Sequence, residues 1–227
     1  MDKNLCEKIK YARKKLNGVR LKLVTNGSLI DEYKAKKLIE SGVDLIDISF
    51  EGFSKEIYES ARKGLDFDVV SSNILRLCEY AKGSRTRVNL VVVMKDEYKK
   101  YEKQFVGYWK DKVAKIYLNK IHNWGGGLGI KINKKPVVCH TLWTQFVIIW
   151  NGDVSICCMD FDSKNIVGNI NEQSMSELWN GTKYKALRKQ MLNCKISEIE
   201  VCKDCVTPYR APITNLLLWN VNRRLLL

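Results

Sequence analysis

Residues 138–158, "VCHTLWTQFVIIWNGDVSICC", decide how the carboxyl-terminal half of the chain is read. Asn151-Gly152 is a dipeptide favoured in two-residue hairpin turns, where both positions need positive φ. With those two residues as the loop, Trp150 pairs with Asp153 and Phe146 with Cys157. Alternation along the second strand then puts Val154, Ile156 and Cys158 on one face, and Asp153, Ser155 and Cys157 on the other. The pattern predicts a core thiol at Cys158 and an available one at Cys157. Cys139 opens the same stretch, so one hairpin carries three thiols.

Two further thiols lie downstream. "SMSELW" (174–179) pairs Ser174 with Glu177 as a capping box that opens a helix, and "TKYKALRKQML" continues helically. "VCKDCVTP" then places Cys202 and Cys205 in a C-x-x-C knuckle before the turn-forming Pro208. A knuckle lets two sulfurs approach one metal from a tight turn. Cys139 and Cys157 bring the set to four thiolates, at intervals of 18, 45 and 3 residues. Four thiolates suit zinc and an iron–sulfur cluster alike. Cys78 falls on the apolar face of a helix. Cys194 reads as a small buried hydrophobe, and Cys6 has no assignment. His140 reads as a structural neighbour of Cys139, and His122 as a loop residue.

The first half alternates strand and helix. "RLKLVT" (20–25) ends in "NGS", and Asp31 caps a helix that runs to about Ile39, with Gly42 just past its end. "VDLIDISF" (43–50) is a second strand. Val70, Ile74, Leu77 and Ala81 share one helical face. "RVNLVVVMK" (87–95) is a third strand, "DEYKKYEKQFVGYW" a third helix and "AKIYLNKI" (114–121) a fourth strand. Such alternation implies β/α units around a parallel sheet, with function gathered at the carboxyl ends of the strands. Those ends carry "TNG" (25–27), "SFEG" (49–52) and "HNWGGG" (122–127).

Composition is ordinary for a globular chain of 227 residues, 45% hydrophobic and 28% charged. The formal net charge of +14 bears on solubility and encounter rather than fold. Most lysines fall on helix faces, and no Arg/aromatic module of the RNA-binding kind appears, which argues against a nucleic-acid partner. The amino terminus has no apolar signal core, and no run is long enough to span a membrane, so the expected location is cytoplasmic. Eight cysteines in such a chain argue for metal or redox chemistry rather than a disulfide frame.

The pattern "C-HTLWTQFVIIWNGDVSICCMDF…IVGNINEQSMSELWNG…YKALR…CKDC" resembles the auxiliary-cluster domain of radical S-adenosylmethionine (SAM) enzymes, called SPASM in its full form and twitch in its shortened form. With only four plausible ligands, the match is closer to the shortened form. The resemblance implies a 4Fe–4S cluster on Cys139, Cys157, Cys202 and Cys205. "LVTNG", "ISFEG….Y…ARKG" and "VNLVVVMK" resemble the middle and later β/α units of the same family's partial barrel. On that resemblance Ser49 and Arg62 contact the SAM ribose and carboxylate, Glu51 sits at the substrate-side end of its strand, and Asn26 and Asn89 line the barrel mouth.

The family's C-x3-C-x2-C motif and its GGEP-type stretch are absent from these residues. The expectation is therefore the later portion of an enzyme: a truncated product, a misassigned start or one piece of a split enzyme, not catalytic alone. SAM would bind only with the missing portion supplied. The expected layout is an incomplete (β/α) barrel over residues 1–128, a small α+β SPASM/twitch-like domain over 129–210 and an apolar tail over 211–227. The implied partners are a peptide or small sugar-like substrate and an electron donor such as a flavodoxin or ferredoxin. The alternative is a zinc-binding module whose basic surface meets nucleic acid or an acidic partner.

Overall fold

The structure, a computed structural model, describes residues 2–121, 123–126 and 138–206. His122, the expected 128/129 boundary, Pro208 and the 211–227 tail lie outside the described residues. The chain divides into two compact units, Met1–Ile121 and His122–Leu227.

In the first unit four parallel strands lie in sequence order: β1 (Lys22–Thr25), β2 (Leu45–Ser49), β3 (Arg87–Met94) and β4 (Lys115–Lys120). Helices α1 (Leu5–Lys15), α2 (Glu32–Glu40), α3 (Lys55–Ala61), α4 (Phe67–Ala81) and α5 (Glu102–Trp109) accompany them. This is the parallel β/α arrangement of an incomplete barrel. Asp31 caps α2 by accepting from the Lys34 amide at 2.8 Å, and Asp66 caps α4 by accepting from the Val69 amide at 2.8 Å. Val70, Ile74 and Leu77 on α4 are fully buried, as their spacing predicts. The sequence expectation of one helix over 96–109 resolves into a 3₁₀ turn, Asp96–Tyr101, followed by α5.

Period-two alternation gives the sheet two unlike faces. Ile46, Ile48, Phe50, Val88, Leu90 and Val92 enter the core with residues of the helices. The other face carries Asp47, Ser49 and Asn89, with Asp47 directly opposite Asn89 in the parallel register. Phe50 closes the core as an aromatic hub, its ring 4.9 Å from Tyr58 and 5.5 Å from Trp109. Gly52 is required there, because a Cβ would stand 2.1 Å from the Phe50 ring.

At the amino end of the sheet, Asp44 accepts from the Leu21 amide at 2.7 Å and pairs with Arg13 and Arg85. Burial alone would raise its pKa. The Leu21 amide and the two guanidiniums outweigh burial and hold it below the ordinary carboxylate value.

In the second unit β5 (Val147–Ile148), β6 (Asp153–Ser155) and β7 (Ile166–Asn169) form an antiparallel sheet, with α6 (Thr141–Thr144), α7 (Met175–Trp179) and α8 (Thr182–Leu192) around it. The capping box is complete. The Glu177 amide donates to Ser174 Oγ at 3.2 Å, and the Ser174 amide donates to Glu177 Oε2 at 2.8 Å. Gly168 of "VGNI" leaves room for Leu178, whose Cδ2 would lie 2.4 Å from a Cβ at that position.

The hairpin register differs from expectation by one residue. Val147 pairs with Ser155 and Ile148 with Val154. The loop is Trp150-Asn151-Gly152: the Gly152 amide donates to the Ile149 carbonyl at 3.0 Å, and Gly152 takes a φ of 91°. This is the three-residue hairpin, a turn closed by a left-handed residue, rather than the two-residue one.

Two outcomes are expected from this packing. Gly52→Ala destabilises the first unit by about 1–3 kcal/mol, read as a lower urea midpoint, because the new methyl displaces the Phe50 ring. Asp44 contributes stability above its unfolded pKa and loses it as pH falls through its lowered folded pKa. Between about pH 5 and pH 2, urea midpoints of Asp44→Asn therefore fall less steeply than those of the unsubstituted chain.

Candidate functional site

The four cysteines predicted as ligands rim one cavity of about 200 Å³ in the second unit. Leu142, Ile156, Met191 and Val201 supply apolar wall, and His140 and Cys158 also line it. The four thiols arrive from three local devices. Cys139 immediately precedes α6, and its Sγ lies 3.2 Å from Thr141 Oγ1. Cys157 follows β6, where the Asp160 amide donates to the Cys157 carbonyl at 3.1 Å and turns the chain. Cys202 and Cys205 sit in the knuckle, closed by the Cys205 amide donating to the Cys202 carbonyl at 3.1 Å.

Polar residues that the sequence did not single out hold these segments. Asp160 is buried, accepts from Ser155 Oγ at 2.9 Å, and takes the amides of Lys164 and Asn165. Asn123 is fully buried; it donates to the Asp204 carbonyl at 2.6 Å and accepts from the Val206 amide at 3.1 Å. The glycines after it explain part of "HNWGGG". A Cβ on Gly126 would lie 2.5 Å from Asp204 Cβ, so the loop packs tightly on the knuckle. A buried Asn or Asp leaves no periodic signal in a sequence.

The thiols sense one another. Burial first, then the nearness of Cys205 and Cys139, pushes Cys202 up to about 12. Cys157 is pushed up by sharing a proton with Cys158, then by burial, with Cys139 adding to the effect. The same shared proton lowers Cys158 to about 6. Cys158 is exposed, contrary to the core role that strand alternation suggested. β6 ends at Ser155, so the period-two rule stops before residue 158. Cys194 is likewise exposed, in a left-handed conformation with φ 57° just past α8, and is not the buried hydrophobe expected.

Four thiols on one apolar cavity supply the all-thiolate donor set that an iron–sulfur cluster takes, and equally that of a tetrahedral zinc.

In the first unit, Arg62 Nε donates to Glu51 Oε2 at 2.7 Å, and both side chains are largely covered. Asn89 donates to Asp47 Oδ1 at 2.8 Å, and Lys22 Nζ pairs with Asp47 Oδ2 at 2.5 Å. Ser49 ends β2 on the same face. Asn26 stands in the loop after β1, where its Oδ1 accepts from the Ser28 amide at 3.1 Å. That loop is fixed by buried Asn73, which donates to the carbonyls of Gly27 at 3.1 Å and Ser28 at 3.3 Å. Asp47 and Asn73 are the supports that periodicity alone did not reveal.

Comparison with known proteins adds two family matches. A profile of the radical SAM superfamily matches residues 1–106, and one of SPASM, an iron–sulfur cluster-binding domain, matches residues 139–206. A curated relative, the S-adenosyl-L-methionine-dependent 2-deoxy-scyllo-inosamine dehydrogenase of Niallia circulans, is 31% identical over 108 residues, covering 45% of this chain and 42% of that protein. The fold is similar to that of BtrN solved with AdoMet and 2-DOIA, with a TM-score of 0.54 and 21% identity over 89% of this chain and 66% of that one. It is also similar to native anSMEcpe with bound AdoMet, with a TM-score of 0.61 and 20% identity over 90% of this chain and 72% of that one. The chain thus spans less than half of the curated relative.

The thiols give a direct test. In anaerobically reconstituted protein, Cys157→Ala loses most bound iron, whereas Cys158→Ala retains it. The reverse pattern would assign the ligand to the neighbouring thiol.

Proposed function

We propose, from the radical SAM superfamily match over residues 1–106 and the SPASM iron–sulfur cluster-binding match over residues 139–206, that this is a radical SAM-type chain in which Cys139, Cys157, Cys202 and Cys205 hold an auxiliary 4Fe–4S cluster, part of an enzyme that abstracts hydrogen from a small sugar-like or peptide substrate. The observation that carries this reading is the shared apolar cavity on which the four thiols converge. Bound there, the cluster supplies one-electron chemistry and an anionic surface near which a substrate can be placed.

The chain's own residues have defined parts in this reading. The four thiols release their protons as they bind. Leu142, Ile156, Met191 and Val201 keep water from the sulfurs and so strengthen electrostatics there. In the first unit, Ser49 and Arg62 are the proposed contacts for the SAM ribose and carboxylate, with Glu51 fixing the Arg62 guanidinium. Asn26 and Asn89 are proposed to line the mouth, Asn89 being oriented by Asp47. A hydroxyl-rich substrate matches this carboxylate, carboxamide and hydroxyl lining, and the curated relative's name, an inosamine dehydrogenase, favours the sugar-like class.

The 227 residues contain no C-x3-C-x2-C triplet. In this reading SAM cleavage therefore depends on thiolates that these residues do not supply. The net charge of +14 favours an acidic electron donor such as a flavodoxin or ferredoxin. Among the described residues no helix is long and apolar enough to cross a membrane, and a cytoplasmic location is part of the proposal.

Anaerobic reconstitution followed by iron and acid-labile sulfide analysis tests the reading. The expected result is a brown protein with about four iron and four sulfide per chain. A colourless protein holding about one zinc per chain would overturn it in favour of a structural zinc module.

A further inference from the structure

We propose that Arg188 and Tyr184 are positioning residues that back the Cys139 and Cys157 ligands with positive charge and hydrogen-bond donors, and so raise the auxiliary cluster's reduction potential. This rests on the cluster reading above. Neither residue lines the cavity; each acts through a segment that does.

Arg188 and Tyr184 stand one turn apart on α8. The Arg188 guanidinium lies 4.2 Å from the Trp179 ring centroid and 4.8 Å from that of Tyr184. Its Nε donates to the Leu142 carbonyl at 3.0 Å, and Nη1 donates to the Trp179 carbonyl at 2.8 Å. Leu142 lies on α6, which starts just after Cys139 and forms part of the cavity wall. Tyr184 is fully buried in the packed cluster against which Cys157 lies.

Two features of this pair lack a purpose within the protein. Arg188 Nη2 and the Tyr184 hydroxyl are buried without hydrogen-bond partners among the described residues. The partners of Arg188 among the described residues are two backbone carbonyls and two aromatic rings, with no carboxylate paired to it. The segments outside the description, 127–137 and 207–227, contain no Asp or Glu side chain. A largely covered cation without a counter-ion is costly, and natural proteins keep such groups opposite an anion. Four thiolates around an iron–sulfur core form an anion, and one-electron reduction adds a further negative charge. A nearby cation and donors stabilise the reduced form more than the oxidised one.

The test is a dithionite titration of the reconstituted full chain, followed by electron paramagnetic resonance, with iron content measured on the same samples. Arg188→Gln is expected to move the midpoint to more negative values at unchanged iron content. Arg188→Lys restores most of the shift, and Tyr184→Phe gives a smaller shift of the same sign. Unchanged midpoints in Arg188→Gln and Tyr184→Phe at full iron content would overturn the proposal while leaving the cluster reading intact. If Arg188→Gln loses iron, Tyr184→Phe decides: a negative shift supports the pair's role, and no shift refutes it. Absence of any iron–sulfur signal from the unsubstituted chain would instead refute the cluster reading itself.

Discussion

Three separate segments of the carboxyl-terminal unit bring their thiols to one small apolar cavity, and the unit's packing is built around that meeting. Cys139 belongs to the same cluster of packed residues as Val154, Ile156, Tyr184 and Met191, and Cys157 and Cys202 lie against it. The three strands are only two to four residues long. So short a sheet has little hydrophobic area with which to hold itself closed, and small units of this kind commonly rely on a metal or disulfides. In the proposed reading, binding of the cluster would contribute directly to folding. The surrounding details serve the same end: Asp160 gathers the turn after Cys157, and Asn123 ties its loop to the knuckle.

The amino-terminal unit uses a different economy. Its sheet buries one face under helices in a single hydrophobic core. The other face is free to carry polar groups, which are arranged in pairs rather than left single. Arg62 is held by Glu51, and Asn89 by Asp47. Such pairing keeps each group in a fixed direction, which a site for a polar ligand requires.

Much of this was legible in the sequence because it follows from periodicity and from turn and cap chemistry. The strand–helix alternation, the Asp31 cap, the apolar face of α4 and the Ser174–Glu177 box all appear where their patterns place them. The cysteine spacing picked out four of the five thiols that line the cavity. Other features were not legible, for stated reasons. Asn-Gly permits both two- and three-residue hairpins, and the choice is made by contacts at Gly152, whose carbonyl accepts from the Ile170 amide at 2.9 Å. Cys158 escaped because the strand stops before it. Asn73 and Arg188 act through carbonyls distant in sequence, and Asp160 through loop amides four and five residues on, which no periodic pattern reports.

The central claim is that one inorganic cluster sits among Cys139, Cys157, Cys202 and Cys205. Anomalous diffraction at the iron absorption edge, from crystals of the anaerobically reconstituted chain, tests it most directly. The account predicts a single strong iron peak within the cavity, bonded to those four sulfurs. Iron located elsewhere, or four sulfurs with no anomalous density among them, would contradict it.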